Sequence, residues 1–348
     1  MRRARSGVLT LLLSAGLALP AAAQSFHLDS VCVGGDGGTD YLTADPGGNR
    51  VFVSRGTHVM VLDSRTGQVV GDIPDTPRVH GVALVPEVGK GFTTNGGDST
   101  VSVFDLQTLA VERRIKVPEG GLDGIMYDEH ARRIVLTNHS RPRGTVVTID
   151  PASGALTGSA VLEDDSPEGA ASDGAARLFV NNEGTSTMQV LDASTLAIEA
   201  SWPLAPCEGP TGIAFDRQAQ RIFVGCSDTS VVLDAKDGRI VARIPNGAGV
   251  DALGWDAAER LLYIPAGRSA TVTVVHQDTP DRYRVLATIP TVPGAKTISV
   301  NQRTHVAYLF QPVYGPAPAA APGAPPAAPG GRPPRGPVIG AWFLMLRH

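Results

Sequence analysis

The chain has 348 residues, 42 % of them hydrophobic and 18 % charged, with a formal net charge of −4. That apolar content is enough to build a packed core and excludes a wholly disordered chain. The acidic balance argues against nucleic acid as a general partner, because neutralising phosphates takes a clustered Lys/Arg surface.

In chain order, the basic start Met1-Arg2-Arg3-Ala4-Arg5 leads into the apolar run Val8 to Leu19 and then into Ala21-Ala22-Ala23. This is the pattern of a secretory signal peptide. Residues 1–23 are read as that leader, cleaved near Ala23, with residues 24–348 forming one domain in the periplasm or outside the cell. The apolar run is too short for a membrane span, and no later segment reaches the roughly 18 apolar residues a span needs. Without Arg2, Arg3 and Arg5 the balance is 27 basic against 34 acidic side chains, a net charge of −7.

After Phe26-His-Leu-Asp-Ser-Val-Cys-Val, a strand-like stretch, one fragment recurs. Its clearest copies are Arg50-Val-Phe-Val, Arg133-Ile-Val-Leu, Arg177-Leu-Phe-Val and Arg221-Ile-Phe-Val. Weaker ones begin at Lys90, Leu261 and His305. The central residues Phe52, Phe92, Val135, Phe179, Phe223, Tyr263 and Tyr308 are spaced by 40, 43, 44, 44, 40 and 45. A period of this size indicates a propeller or a solenoid. Each copy is followed by an apolar strand ending in Asp63, Asp105, Asp150, Asp192 or Asp234 and then a Ser/Thr/Asp-Gly/Leu turn. A carboxylate that accepts backbone N–H bonds just ahead of it is hairpin chemistry, so these five acids are turn residues. His276 stands in the sixth copy as a degenerate turn residue.

Four short apolar runs per unit and no helix-period stretch predict an all-β, seven-bladed β-propeller with four antiparallel strands per blade. The seventh unit ends with its third strand, Val338-Ile-Gly-Ala-Trp-Phe-Leu-Met-Leu. The N-terminal strand is therefore expected to close the last blade, leaving no ragged sheet edge. Between that blade's second and third strands, residues 312–337 carry ten prolines with Ala and Gly and are read as a disordered or polyproline-like loop. Cys207 and Cys226 fall where two loops of the fifth blade open onto one face, so a disulfide between them is expected in an oxidising compartment. Cys32 is left unpaired, with a small, buried, apolar role.

Phe92-Thr-Thr-Asn95, Val135-Leu-Thr-Asn138 and Phe179-Val-Asn-Asn182 resemble the Tyr-Val-Thr-Asn signature of the YVTN β-propeller repeat family, which includes YncE-like exported bacterial proteins. The following Asp-x-x-Thr-Gly turn is similar as well. The resemblance covers all seven units and implies a periplasmic or secreted binding or scaffold module. Nucleic-acid binding is reported for some members. The signature's last position changes to Arg55, Cys226, Ala266 and Gln311 in the other blades.

In a propeller the loops leading into the innermost strands share a face with the loops leaving the second strands. The first set supplies Asp40, His80, Asp123, Glu168, Thr211, Asp251 and Lys296, and the second supplies Arg55, Asn95, Asn138, His139, Asn182 and Cys226. Carboxylates, a His and amides converging on a channel mouth make a polar ligand pocket or a hard-cation site, with Asp123, Glu168 and Asp251 as metal ligands. The bland alternative is a water-facing polar rim. Three functions follow: a monomeric module binding an unidentified small molecule or protein, without catalysis or cofactor; a metal-dependent lactonase- or lyase-like enzyme using Glu168, Asp123, Asp251 and His80 around a divalent cation; or a single-strand nucleic-acid binder using Arg55, Arg141, Arg143 and Lys296. The first is preferred, because no nucleophile elbow, His-Glu-x-x-His helix, haem site or P-loop appears in the sequence.

Overall fold

The computed structural model describes residues 25–317 and 336–348. Residues 1–24, with the expected leader 1–23, and residues 318–335 of the proline-rich segment lie outside them. Seven four-stranded antiparallel sheets are present among the described residues. The innermost strands are Leu42–Ala44, Val79–Val85, Leu122–Asp128, Pro167–Ser172, Ile213–Asp216, Gly254–Asp256 and Ile298–Asn301. Each touches the innermost strand of both neighbouring blades, and the last touches the first, so the ring is closed. His27–Val33 completes the seventh blade by pairing with Val338–Arg347, in register from His27 opposite Arg347 to Val33 opposite Ala341.

Burial explains the strand composition. Each of seven apolar clusters is shared between two adjacent blades, so the middle strands are covered on both faces. They accordingly read as apolar runs, whereas outer strands such as Val111–Lys116 are largely exposed and carry Glu112, Arg113 and Arg114. The repeated aromatic fills these inter-blade cores: Phe52 meets Phe104 at 5.9 Å between ring centres, and Phe223 meets Trp255 at 4.7 Å.

The strand-initial arginine has a role that its sequence did not disclose: it ties one blade to a turn of the next. Arg50 Nη1 donates to the carbonyl of Leu106 at 2.6 Å, Arg177 Nη1 to those of Ala235 and Lys236 at 3.3 Å, and Arg221 donates to Asp281. The turn carboxylates behave as expected. Asp63, Asp105 and Asp192 each accept from two backbone N–H groups and a Thr hydroxyl ahead of them. These bonds, with the Lys90 ammonium, hold Asp105 down at about 2. The turn's last position is left-handed, with φ of 71° at Gly67 and 73° at Gly238 but also 63° at Leu109 and 60° at Leu196. There, burial of the leucine outweighs the backbone cost of about 1–2 kcal/mol.

Four residues expected on the channel face are structural instead. Asn95, Asn138 and Asn182 are fully buried inside their blades. Each amide donates across to the Thr that opens the third strand: Thr100, Thr145 and Thr187, at 3.0, 3.1 and 3.3 Å. Buried amides need such partners, and the signature Asn is the bridge between strands two and three. Arg55 is also fully buried. Its guanidinium donates to the carbonyls of Gly35 and Gly37 and lies 4.8 Å over the ring of Phe310 in the last blade. It thus pins the loop after the closing strand across the junction of blades one and seven.

Three further details differ from or refine the sequence reading. The second strand of the last blade, Val306–Tyr314, runs into the proline-rich segment, with Pro312 opposite Ala341. Its pairing with the innermost strand stops at Leu309, so the missing N–H of Pro312 leaves no ladder bond unmade on that side. Cys32 is exposed, because Val31 and Val33 take the core-facing positions of the alternating strand. Cys207 and Cys226 are joined as a disulfide with Cα atoms 5.4 Å apart.

Replacing Arg55 with Ala should destabilise the protein by about 3 kcal/mol, since it opens a cavity and orphans the Gly35 and Gly37 carbonyls. Urea denaturation followed by tryptophan fluorescence reads this directly; an unchanged midpoint contradicts the role assigned to Arg55.

Candidate functional site at the channel mouth

The seven residues that lead into the innermost strands do meet. Asp40, His80, Asp123, Glu168, Thr211, Asp251 and Lys296 line one cavity of about 440 Å³, together with Tyr41, Arg78, His139 and Glu183. Radial repetition is the reason: each residue occupies the same place in its own blade, so side chains up to 256 positions apart become neighbours. Beneath them a narrower, more apolar channel is lined by Val82, Ile125, Met126, Ile213 and Leu253.

The charges alternate in one continuous chain. Asp251 pairs with Lys296, whose ammonium is also 3.4 Å from Asp40. Asp40 Oδ2 is 2.7 Å from His80 Nδ1, and that nitrogen is 3.3 Å from Asp123 Oδ1. His139 Nε2 then stands between Asp123 at 3.1 Å and Glu168 at 3.2 Å. Tyr41 Oη donates to the other oxygen of Glu168 at 3.4 Å. Neither contact of His139 Nε2 has hydrogen-bond geometry, and Asp123 Oδ1 also lacks a partner of good geometry.

Protonation follows from these neighbours. Burial and the nearby Glu168 charge push the Asp123 carboxyl up to about 7. The adjacent Glu168 carboxylate, against burial and with the Asp123 charge, lifts His139 to about 9. Burial opposes ionisation of His80, but the Asp40 hydrogen bond and Asp123 charge outweigh it and raise its pKa. For Asp40, burial is likewise overcome by His80 and Lys296, which hold it below the ordinary carboxylate range. Burial raises Asp251 despite Lys296. Near pH 7 the Asp123 carboxyl is therefore about half-ionised, beside His139 in its protonated form.

Two triads could accept a cation: Asp40 with His80 and Asp123, and Asp123 with His139 and Glu168. The expected metal set of Asp123, Glu168 and Asp251 is thus altered, since Asp251 is engaged by Lys296 and His139 takes its place. Tyr41 and Arg78 escaped the sequence reading. Each lies within two residues of a residue that it did single out, Asp40 and His80, and that adjacency was the available signal. Arg55, Asn95, Asn138 and Asn182 do not join this group, and neither does Cys226, which is held in its disulfide.

Fold and site together define a seven-bladed β-propeller with a charge-alternating channel mouth. In sequence the chain matches no protein-family model and no curated protein. In structure it is similar to a chain of the Kuenenia stuttgartiensis hydrazine synthase, with a TM-score of 0.70 and 17 % identity over 79 % of this chain and 92 % of that one. A chain of the mitotic checkpoint complex gives 0.71 and 14 %, covering 88 % and 96 %. The WD40 repeats of RRP9 give 0.73 and 11 %, covering 92 % and 98 %. At these identities the likeness is one of fold alone. Among the described residues no helix is long and apolar enough to cross a membrane.

The two raised pKa values set a pH dependence with a definite sign. The Asp123 contribution is fully present below its unfolded value near 4 and is lost as pH rises through about 7. That of His139 is present below about 6.5 and is lost through about 9. Stability measured by urea midpoint should fall from pH 4 to 9, and His139→Gln should flatten the part of the fall between about pH 7 and 9. An identical profile in the variant contradicts the pairing.

Proposed function

We propose that this chain is an exported binding propeller of the YVTN-repeat type, which takes a small polar ligand at its channel mouth and catalyses nothing by itself. The single observation that carries the reading is the convergence of Asp251, Lys296, Asp40, His80, Asp123, His139 and Glu168 in one alternating chain over a cavity of about 440 Å³. A site with donors and acceptors already matched to one another suits a neutral or zwitterionic ligand, which replaces paired contacts without burying net charge. Its leader-like N-terminus and its Asn-ended strands support export and the family. The mature chain works as a monomer, with a small molecule or a protein segment as its partner.

The test uses the full mature protein. Native mass spectrometry should detect a co-purifying small molecule, or a zwitterion library should raise the melting temperature, and Asp40→Asn combined with Glu168→Gln should abolish the effect. A ligand response that survives this double change rejects the channel mouth as the site.

A second reading is favoured by His139, whose Nε2 sits almost equally far from two carboxylates and bonds well to neither. Asp123, His139 and Glu168 supply the donor types that a divalent cation takes, and would hold it as a Lewis acid for a lactonase- or lyase-like hydrolysis. Such an ion must displace protons from His139 and Asp123. Its affinity should therefore rise about tenfold per pH unit between pH 7 and 9 for one proton displaced. Elemental analysis without bound metal, together with no thermal shift on adding Ca²⁺, Mg²⁺ or Zn²⁺ at pH 9, removes this reading.

A further inference from the structure

The opposite face carries a second cleft, between blades three and four, where the repeat breaks its own rule. The strand-initial cation is satisfied by the protein in the sister blades. Lys90 meets Asp105 and Glu112, Arg177 meets Glu199 and two carbonyls of blade five, and Arg221 meets Asp281 and two carbonyls of its own turn. Arg133 is different. Its side chain is only 11 % exposed, yet Nε and Nη2 are buried without a hydrogen-bond partner, and the nearest carboxylate, Asp128, stands 3.6 Å away.

The cause is a substitution in the outer strand. Glu112 and Glu199 occupy the bulged second position of Val111–Lys116 and Ile198–Pro203, and the matching position of Leu156–Val161 is Thr157. With the shorter Thr157, and with Gly158 and Ser159 beside it, a cavity of about 460 Å³ opens over Arg133. Arg132 and His130 line the same cleft, and the hydroxyls of Thr148 and Thr157, 2.9 Å apart, lie at its wall. Of the acids nearby, Asp150 Oδ1 accepts from Ser153, Asp192 Oδ1 from Ser194 and Thr195, and Asp128 Oδ1 from His130, Ala131 and Ser172, while Asp128 Oδ2 faces Arg133 Nε at 3.6 Å, too far for a good hydrogen bond.

A guanidinium with N–H groups left without a hydrogen-bond partner, beside a second arginine and two threonine hydroxyls, is the chemistry that recognises an oxyanion through charge-assisted bonds. We propose that the cleft between blades three and four binds a small oxyanion of the phosphate or sulfate type, held by Arg133 with Arg132 and the Thr157 hydroxyl. The bound anion takes the place of the carboxylate that Glu112 and Glu199 supply in the neighbouring blades.

Calorimetric titration of the whole protein with inorganic phosphate and with sulfate, against chloride at equal ionic strength, measures this. Binding is expected in the wild type. Thr157→Glu, which restores the sister blades' acid, should weaken it about tenfold or more and should raise the melting temperature in chloride. Arg133→Lys, which installs the residue that blade two uses at this place, keeps the charge but loses the fork and should also weaken binding about tenfold. Lys296→Gln at the channel mouth should leave it unchanged. Absence of wild-type binding, or equal binding in Thr157→Glu and Arg133→Lys, overturns the proposal and leaves the channel-mouth reading untouched; loss of binding in Lys296→Gln overturns it by moving the anion to the channel mouth.

Discussion

Everything in this molecule depends on a sheet having two faces and two edges that water must not be left to satisfy badly. Each blade buries both faces of its middle strands against its neighbours, so no blade has a core of its own. A linear stack of such units would end in two bare apolar faces. Curving the row into a ring removes both, and the pairing of His27–Val33 with Val338–Arg347 closes the ring by backbone hydrogen bonds within its last blade. Arg55 reinforces the same junction from inside, with its guanidinium against backbone carbonyls of one side and an aromatic ring of the other.

Closure also creates the site. A ring of seven equivalent loops forces seven side chains toward one axis, and like charges so placed would repel. Here the loop residues alternate in sign along the chain from Asp251 to Glu168, so the Coulomb cost of convergence is largely cancelled. The cancellation is incomplete at Asp123, which is shared by two histidines while facing Glu168, and that imbalance makes it the group that titrates near neutrality. On the other face the arginine ladder does comparable work between blades, and a cleft opens where Arg133 Nε and Nη2 lack a hydrogen-bond partner.

Much of this was legible in the sequence because the determinants repeat. The spacing of Phe52, Phe92, Val135, Phe179 and their successors marks the blades, and the Asp-led turns mark the hairpins. The inward loop residues could be named because six of them stand 12 residues before their blade's repeated central residue and Glu168 stands 11 before Phe179. What stayed hidden were pairings between blades. Nothing local distinguishes an Asn that faces a channel from one that bridges to Thr100 or Thr145 within its own sheet, and the signature was read the wrong way for Asn95, Asn138 and Asn182. Arg55 misled for a similar reason: a charge at the end of a strand suggests solvent, and only the tertiary junction with Phe310 and the glycine loop makes a buried guanidinium tolerable. The link from Asp40 to His80 spans 40 residues, and distance along the chain says nothing about whether a ring and a carboxylate will touch.

The closing strand also has a history in time. His27 leaves the ribosome 311 residues before Val338, its hydrogen-bonding partner segment. At about 5–20 residues per second that delay is roughly a quarter of a minute to a minute. Throughout it, Val31 and Val33 and the open side of blade one have nothing to rest on, and an extended strand with bare amides is an invitation to the wrong neighbour. The polypeptide's riskiest interval therefore comes before the strand Val338–Arg347 exists, and a nascent chain halted there has six complete blades and no way to shut.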